Sequence, residues 1–523
     1  MRDFHLPGRS AVYSSNGMCA TSHPLAAQVA IETLKSGGNA VDAAIAGAVL
    51  LGICEPQMTG IGGDCFVLLS PKDSDAIVAL NGSGRSPKGL NAADLRAQGH
   101  KTIPPSSAHA VTVPGAVDAF CRLSQDWGQL DLARVLAPAT HYAKVGVPVA
   151  PRVALDWQAD GDALQDVARA KYLTNGQFPK AGQMFRAPGQ AKVLEKIAKE
   201  GRDGFYQGEV AEDMVQSLNA VGGTHTLDDF ANTECNYTDP ISGTYGDLEL
   251  VEHPPNGQGA TAILLANILS QFDLSDMNPL GSQRAHIEAE AAKLAYDAQY
   301  RFIADQTERL DHMLSLDTAQ KLSALIDRTK AMPSATSIAE SVHKDTVYIT
   351  VVDRDRMAVS LIYSIFKSFG SGLASEKFGI LFQNRGAGFT LEEGHPNEAG
   401  GSKRPMHTII PGMLKKNGRV MMPFGVMGGP YQPNGHARFL SNIVDFGMTP
   451  QSAIDAPRSF AHMNMLQVER GYSDQVRQEL ADLGHMVQVP DQPIGGAQAI
   501  LIHEDGTLEG ASDPRKDGCA LGY

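Results

Sequence analysis

The stretch His343-Lys344-Asp345-Thr346-Val347-Tyr348-Ile349-Thr350-Val351-Val352-Asp353 changes character at one residue. A polar approach ends at Thr346, and β-branched and aromatic residues follow at once, which predicts a strand over Val347–Val352. Taken alone, Thr346 reads as a strand-edge residue. It acquires chemistry if the peptide bond before it, between Asp345 and Thr346, is cut. Thr346 then carries a hydroxyl nucleophile and a free α-amine on the same residue. An α-amine has an unperturbed pKa of about 8, so near neutral pH it can take the hydroxyl proton directly or through a water. One residue supplies what a Ser–His pair supplies in other hydrolases. Asp345, left as the last residue of the other chain, has no role after the cut.

Residues 357–365 read as a second strand, and 408–414 pairs with 419–426 across the turn Lys416-Asn417-Gly418. Another pair, 497–503 and 507–511, flanks an Asp-Gly turn. Upstream the chain is mainly helical. Ser22 is placed to cap a helix that stops at Gly37-Gly38. Residues 41–53, with Asp42 at the start, form a nearly all-apolar helix, which implies burial on all sides. A Gly-rich segment, 56–63, leads into a strand over 65–70, and 258–272 and 284–305 carry helical periodicity. Residues 307–340 read as polar and loosely organised. Helices first and strands later, without βαβ alternation, point to a layered α+β plan and away from a nucleotide-binding doubly wound sheet.

Composition removes several function classes. A net charge of −14 over 523 residues, with no basic block, argues against nucleic acid. Cys19, Cys54, Cys65, Cys121, Cys235 and Cys519 show no CxxC spacing, and no HExxH or clustered Asp suggests a metal, so neither metal nor cofactor is expected. Gly60–Asp64 lacks the lysine of a phosphate loop. The start of the chain lacks the apolar region of a secretory signal, and the apolar run 43–54 is too short for a bilayer. A cytoplasmic protein without membrane contact is the expectation, and nothing in the sequence excludes a homo-oligomer.

Ten segments in order, HPLA (23–26), GGNAVDAAIAGA (37–48), EPQMTGIGGD (55–64), VPGAV (113–117), FYQG (205–208), DTVYITVVD (345–353), FGSG (369–372), KRPMHTIIP (403–411), MGG (427–429) and DPRKDG (513–518), resemble the γ-glutamyltransferase family along nearly the whole chain. The resemblance implies an α+β fold, the four-layer αββα sandwich of N-terminal-nucleophile hydrolases. It also implies one precursor that cuts itself into residues 1–345 and 346–523, which stay associated. It makes Thr346 the nucleophile and Gly428 and Gly429 the backbone donors of an oxyanion hole. Such donors stabilise the charge of the tetrahedral intermediate by about 3 kcal/mol each. Ser364 falls where the family has a threonine that contacts the nucleophile's amine.

The departures bear on substrate. The family holds a γ-glutamyl group through residues that here correspond to Ser83 (with Arg85 beside it), Phe366, Arg385, Gly388 and the pair His407–Thr408. Gly388 removes the acid that would meet a substrate ammonium. Arg385 adds a planar cation suited to a carboxylate. Arg385, His407, Thr408, Tyr348 and Arg85 are therefore the expected substrate-binding residues, and Asn256 and Gln258 read as a loop near the site or a helix-entry turn. The expected substrate is a small amide whose acyl group carries a carboxylate and no free amine, as oxamate does. The alternatives are a γ-glutamyl hydrolase or transpeptidase acting on glutathione-like compounds, and an unprocessed binding scaffold.

Overall fold

The computed structural model describes His5 and residues 8–333, 346–462 and 464–523; Asp345 lies outside them. Two seven-stranded antiparallel sheets form the centre. The first runs in the order Cys519–Gly522, Met18–Thr21, Val347–Val352, Ala358–Ser364, Asp64–Ser70, Val78–Gly82 and Asn236–Thr238. The second runs Val12–Ser14, Leu508–Ser512, Gly496–Ile502, Arg419–Met427, Gly412–Lys416, Leu248–Glu252 and Ile241–Tyr245. Each sheet mixes strands from both sides of Thr346.

The strand Val347–Val352 shows why the layers stack. All six residues are buried, because both faces of the strand are covered. Val347, Ile349 and Val351 point into a core shared with the helices Pro24–Lys35 and Ala40–Cys54. The second of these helices is buried at every position, which explains its apolar circumference. At Gly47 a Cβ would come within 2.4 Å of Ile349 Cδ1, so helix and strand meet without an intervening side chain. On the other side, Gly259–Leu269, Ser282–Phe302 and Gln432–Val444 cover the second sheet. The result is the αββα sandwich.

Between the sheets lies a small cluster of Phe66, Tyr348, Ile362, Ile409 and Met427. The Tyr348 ring occupies the space a side chain at Gly425 would need: a Cβ there would lie 2.3 Å from it. Its hydroxyl meets Ser360 Oγ at 2.7 Å, and Ser360 Oγ donates across to Phe424 O in the opposite sheet at 3.2 Å.

Some local expectations change. Ser22 does not cap the first helix; His23 does, accepting from Leu25 N, while Ser22 Oγ donates to the buried Glu55 at 2.6 Å. The second helix is capped by Asn39, with Asp42 completing the capping box. Residues 307–333 hold two short helices, Leu310–Leu314 and Leu316–Ser323. The strand expected from 408 begins only at Gly412, because His407 and Thr408 are held by the loop that carries Asn256 and Gln258. Among the described residues no helix is long and apolar enough to cross a membrane.

Candidate active site

Strand register brings the site together. Val347 pairs with Tyr363, so Thr346 comes level with Ser364 on the neighbouring strand. Ser364 pairs with Asp64, and Cys65 pairs with Gly82, which puts Ser83 level with Asp64. Thr346, Ser364, Asp64 and Ser83 thus occupy one rung at one end of the first sheet. Side chains alternate along a strand, so the first three share the face of Tyr348, Ile362 and Phe66, toward the second sheet. Thr346 is buried, and its Oγ1 donates to Ser364 Oγ at 3.4 Å. Ser364 Oγ also accepts the Phe366 N–H at 2.9 Å.

Arg385 opens a short turn, Arg385–Gly388, and is fully buried. Its Nη1 donates to Thr408 Oγ1 at 2.8 Å and its Nη2 to Ser364 Oγ at 3.4 Å, while Nε has no partner among the described residues. The guanidinium carbon sits 4.0 Å from the Phe366 ring centre, a cation–π arrangement. Burial pulls the Arg385 pKa down to about 9, opposed only in part by Asp64. A buried cation satisfied by hydroxyls and an aromatic face retains unused capacity for an anion.

His407 is also at the site but plays another part. Its Nδ1 accepts the Ile409 N–H at 3.4 Å, so Nε2 carries the proton and donates to Asp64 Oδ2 at 3.1 Å. Burial, then the Arg385 charge, push its pKa down to about 3, so it is neutral. Asp64 is the residue the sequence reading missed. Its Oδ1 accepts from Gly84 N at 2.9 Å, Gly115 N at 3.0 Å and Gln383 Nε2 at 2.8 Å. Asp64 therefore ties four distant segments around the rung. The sole sequence signal was its place at the end of the Gly-rich run.

Gly428 and Gly429 follow directly on the strand Arg419–Met427 and have φ of 126° and 53°, a conformation that favours glycine. Gln258 fixes this turn. Its Nε2 donates to Gly429 O at 3.1 Å and to Thr408 O, and its own Oε1 is held by Gln299 Nε2 at 2.7 Å. Gln258 thereby couples the glycine pair to the residue that holds Arg385. Asn256 belongs to the same loop: its carbonyl accepts the His407 N–H at 2.8 Å. These contacts keep residues 407–408 out of the strand.

Two expected substrate contacts lie elsewhere. Tyr348 is an inter-sheet core residue with its hydroxyl on Ser360. Arg85 points to a partly exposed position, where it pairs with Asp305 at 3.1 Å and donates to Ser402 O at 3.2 Å. Among the described residues one group has metal-ligand spacing, His286, Glu290 and His485. Its atoms are engaged: the imidazoles meet at 2.7 Å, and Glu290 takes Lys293 Nζ at 2.6 Å and Met332 N at 2.7 Å.

Residues 26–523 match the family model described as gamma-glutamyltranspeptidase. The glutathione hydrolase-like YwrD proenzyme of Bacillus subtilis (strain 168) is 35% identical over 98% of this chain and 99% of its own length. The oxamate amidohydrolase proenzyme of Klebsiella pneumoniae is 33% identical over 98% and 100%. The crystal structure of cephalosporin acylase from Bacillus halodurans superposes with a TM-score of 0.92 at 36% identity, covering 100% of this chain and 99% of that one. With its double sheet, its threonine at a strand start and a match over nearly its full length, the chain belongs to the γ-glutamyltranspeptidase family, whose members are amide hydrolases and transpeptidases.

Proposed function

We propose that the chain cuts itself before Thr346 into residues 1–345 and 346–523, which remain associated, and that Thr346 then hydrolyses the amide of a small acyl group bearing a carboxylate. Oγ1 of Thr346 attacks the carbonyl carbon while its proton passes to the Thr346 α-amine. The N–H groups of Gly428 and Gly429 hold the developing oxyanion. The proton then leaves with the amine or ammonia, and water attacks the acyl-enzyme to release the acid.

The observation that carries the substrate reading is the position of Arg385. Its Nη2 and Thr346 Oγ1 each lie 3.4 Å from Ser364 Oγ, so they are no more than about 7 Å apart. One approach of about 3 Å at each end, plus the short O–C–C path of oxamate, covers such a gap. A γ-glutamyl group places three carbons between carboxylate and amide and has to fold to fit. It also carries an ammonium, and Gly388 offers that ammonium no acid. Glutathione hydrolysis uses the same nucleophile and is the competing reading.

Purified, processed enzyme assayed with oxamate and with a γ-glutamyl anilide separates the two. The expected result is a kcat/KM for oxamate at least about a hundredfold higher, the scale set by leaving buried polar groups unpaired. Equal or better turnover of the γ-glutamyl anilide contradicts the reading.

A further inference from the structure

In this chemistry the base is the Thr346 α-amine, so the charges around that amine decide whether it can act. Among the described residues Arg385 is a near cation, its Nη2 within about 7 Å of Thr346 Oγ1 by its shared contact with Ser364, and Lys367, whose N–H donates to Asn384 Oδ1 at 3.0 Å, lies on the turn that follows Ser364. The opposing charge is Asp64, two strands away across Ser364, a backbone separation of about 10 Å. Its carboxylate oxygens are turned to Gly84, Gly115, Gln383 and His407. His407 is neutral, and Arg404 lies behind Ser83, donating to Ser83 O at 2.9 Å. Tyr348, on the nucleophile's own strand, is uncharged and faces the core.

We infer that Arg385 keeps the Thr346 α-amine in its uncharged, proton-accepting form until substrate arrives, and that a substrate carboxylate paired with Arg385 then strengthens the amine as a base. The inference rests on the reading that Thr346 is cut free and that Arg385 takes the substrate's carboxylate. The α-nitrogen lies about 3 Å from Oγ1, so the guanidinium is within about 10 Å of it, and a cation at that range in a protein interior lowers an amine's proton affinity by roughly ten- to a hundredfold. The free amine then titrates about one to two units below its ordinary value near 8. Pairing of Arg385 with a carboxylate cancels most of that field. The proton released when the Thr346 Oγ1–H bond breaks, as Oγ1 bonds to the carbonyl carbon, therefore finds a stronger acceptor in the Michaelis complex than in the empty site. From Thr346 N it passes to the leaving nitrogen.

The test is the pKa of the Thr346 α-amine in the processed enzyme, read as the pH dependence of trace acetylation of the small chain's N-terminus by mass spectrometry, without ligand and with saturating oxalate. The expected pKa is about 6–7 in the empty enzyme and rises by about a unit or more with oxalate. In Arg385→Gln it lies near 8 and ignores oxalate, and Arg385→Lys restores the low value. Should Arg385→Gln fail to fold, the oxalate comparison on the parent decides alone. Oxalate that fails to bind by calorimetry, or binds without moving the amine, overturns the inference while leaving the nucleophile intact. A chain that is never cut has no such amine, and then the underlying reading fails as well. Steady-state profiles give an independent check, because the acid limb of kcat/KM reports the free enzyme and that of kcat the complex. The first is expected at lower pH than the second.

Discussion

Arg385 illustrates what one residue can decide. Its guanidinium is buried on two hydroxyls and a ring, so its replacement by Gln is expected to lower kcat/KM for carboxylate-bearing amides by about a hundred- to a thousandfold, the usual cost of losing a charged anchor. Steady-state kinetics on processed enzyme check this, and an unchanged kcat/KM places the carboxylate elsewhere. Tyr348→Phe is the contrasting case. It removes the hydroxyl's contacts to Ser360 and Thr350, at a cost of about 1 kcal/mol, and is expected to lower Tm slightly with KM unmoved. A raised KM returns Tyr348 to the pocket. That Arg385 belongs beside Ser364 and Thr408 could be read from the sequence only as a departure from the family's pattern. Asp64 was not legible, because an aspartate after GIGG reads as a turn until Gly84, Gly115, Gln383 and His407 converge on it. The demotion of Tyr348 and Arg85 has the same cause, since which face a side chain takes and which acid pairs with it depend on distant segments.

At the scale of elements, the strand Val347–Val352 and its neighbour were readable from β-branched runs, because burial on both faces leaves no polar alternation to blur them. Strand 412–416 was misjudged at its start because Thr408 and His407 are tied to Gln258 and Asn256, His407 bridging Gly257 instead of continuing the strand. Helix caps were misread where the candidate side chain had a tertiary partner, as Ser22 has in Glu55. The close fit of the two sheets also makes a prediction. Gly425→Ala forces a methyl to within 2.3 Å of the Tyr348 ring, two residues along the strand from Thr346, and is expected to destabilise the fold by about 1–3 kcal/mol through overpacking. Denaturant unfolding checks it, and Gly425→Ala is expected to cost less when made in a Tyr348→Ala background than in the parent. An equal cost in both backgrounds means the ring and the glycine do not share the space assigned to them.

Over the whole molecule, buried histidines set the acid limit. Burial lowers the pKa of His407 to about 3 and of His23, His225 and His253 to about 4 each, against an ordinary value of 6.5. The unfolded chain takes up these protons below about 6.5 and the folded chain does not, so stability is complete above that pH. It is lost as pH falls toward 4, by about 1.4 kcal/mol per unit for each group. Glu55 acts the other way: burial raises its pKa to about 7, so it adds stability as pH falls from 7 toward 4.5. His462, pushed down to about 4, and His485, to about 3, add to the loss, while Glu252, Asp353, Asp455 and Asp517, all raised by burial, oppose it with Glu55. The histidines have the larger effect above pH 4.5, and Tm measured by calorimetry is expected to fall between pH 6.5 and 4.5. A flat Tm over that range means the histidines are not held neutral. Self-cleavage before Thr346 changes the covalent state of the whole chain, and intact mass of the purified protein beside Thr346→Ala reads it. Two fragments meeting between Asp345 and Thr346 are expected in the parent and one uncut chain in the variant. A folded parent that stays whole contradicts it and leaves a γ-glutamyltranspeptidase fold that binds without cutting.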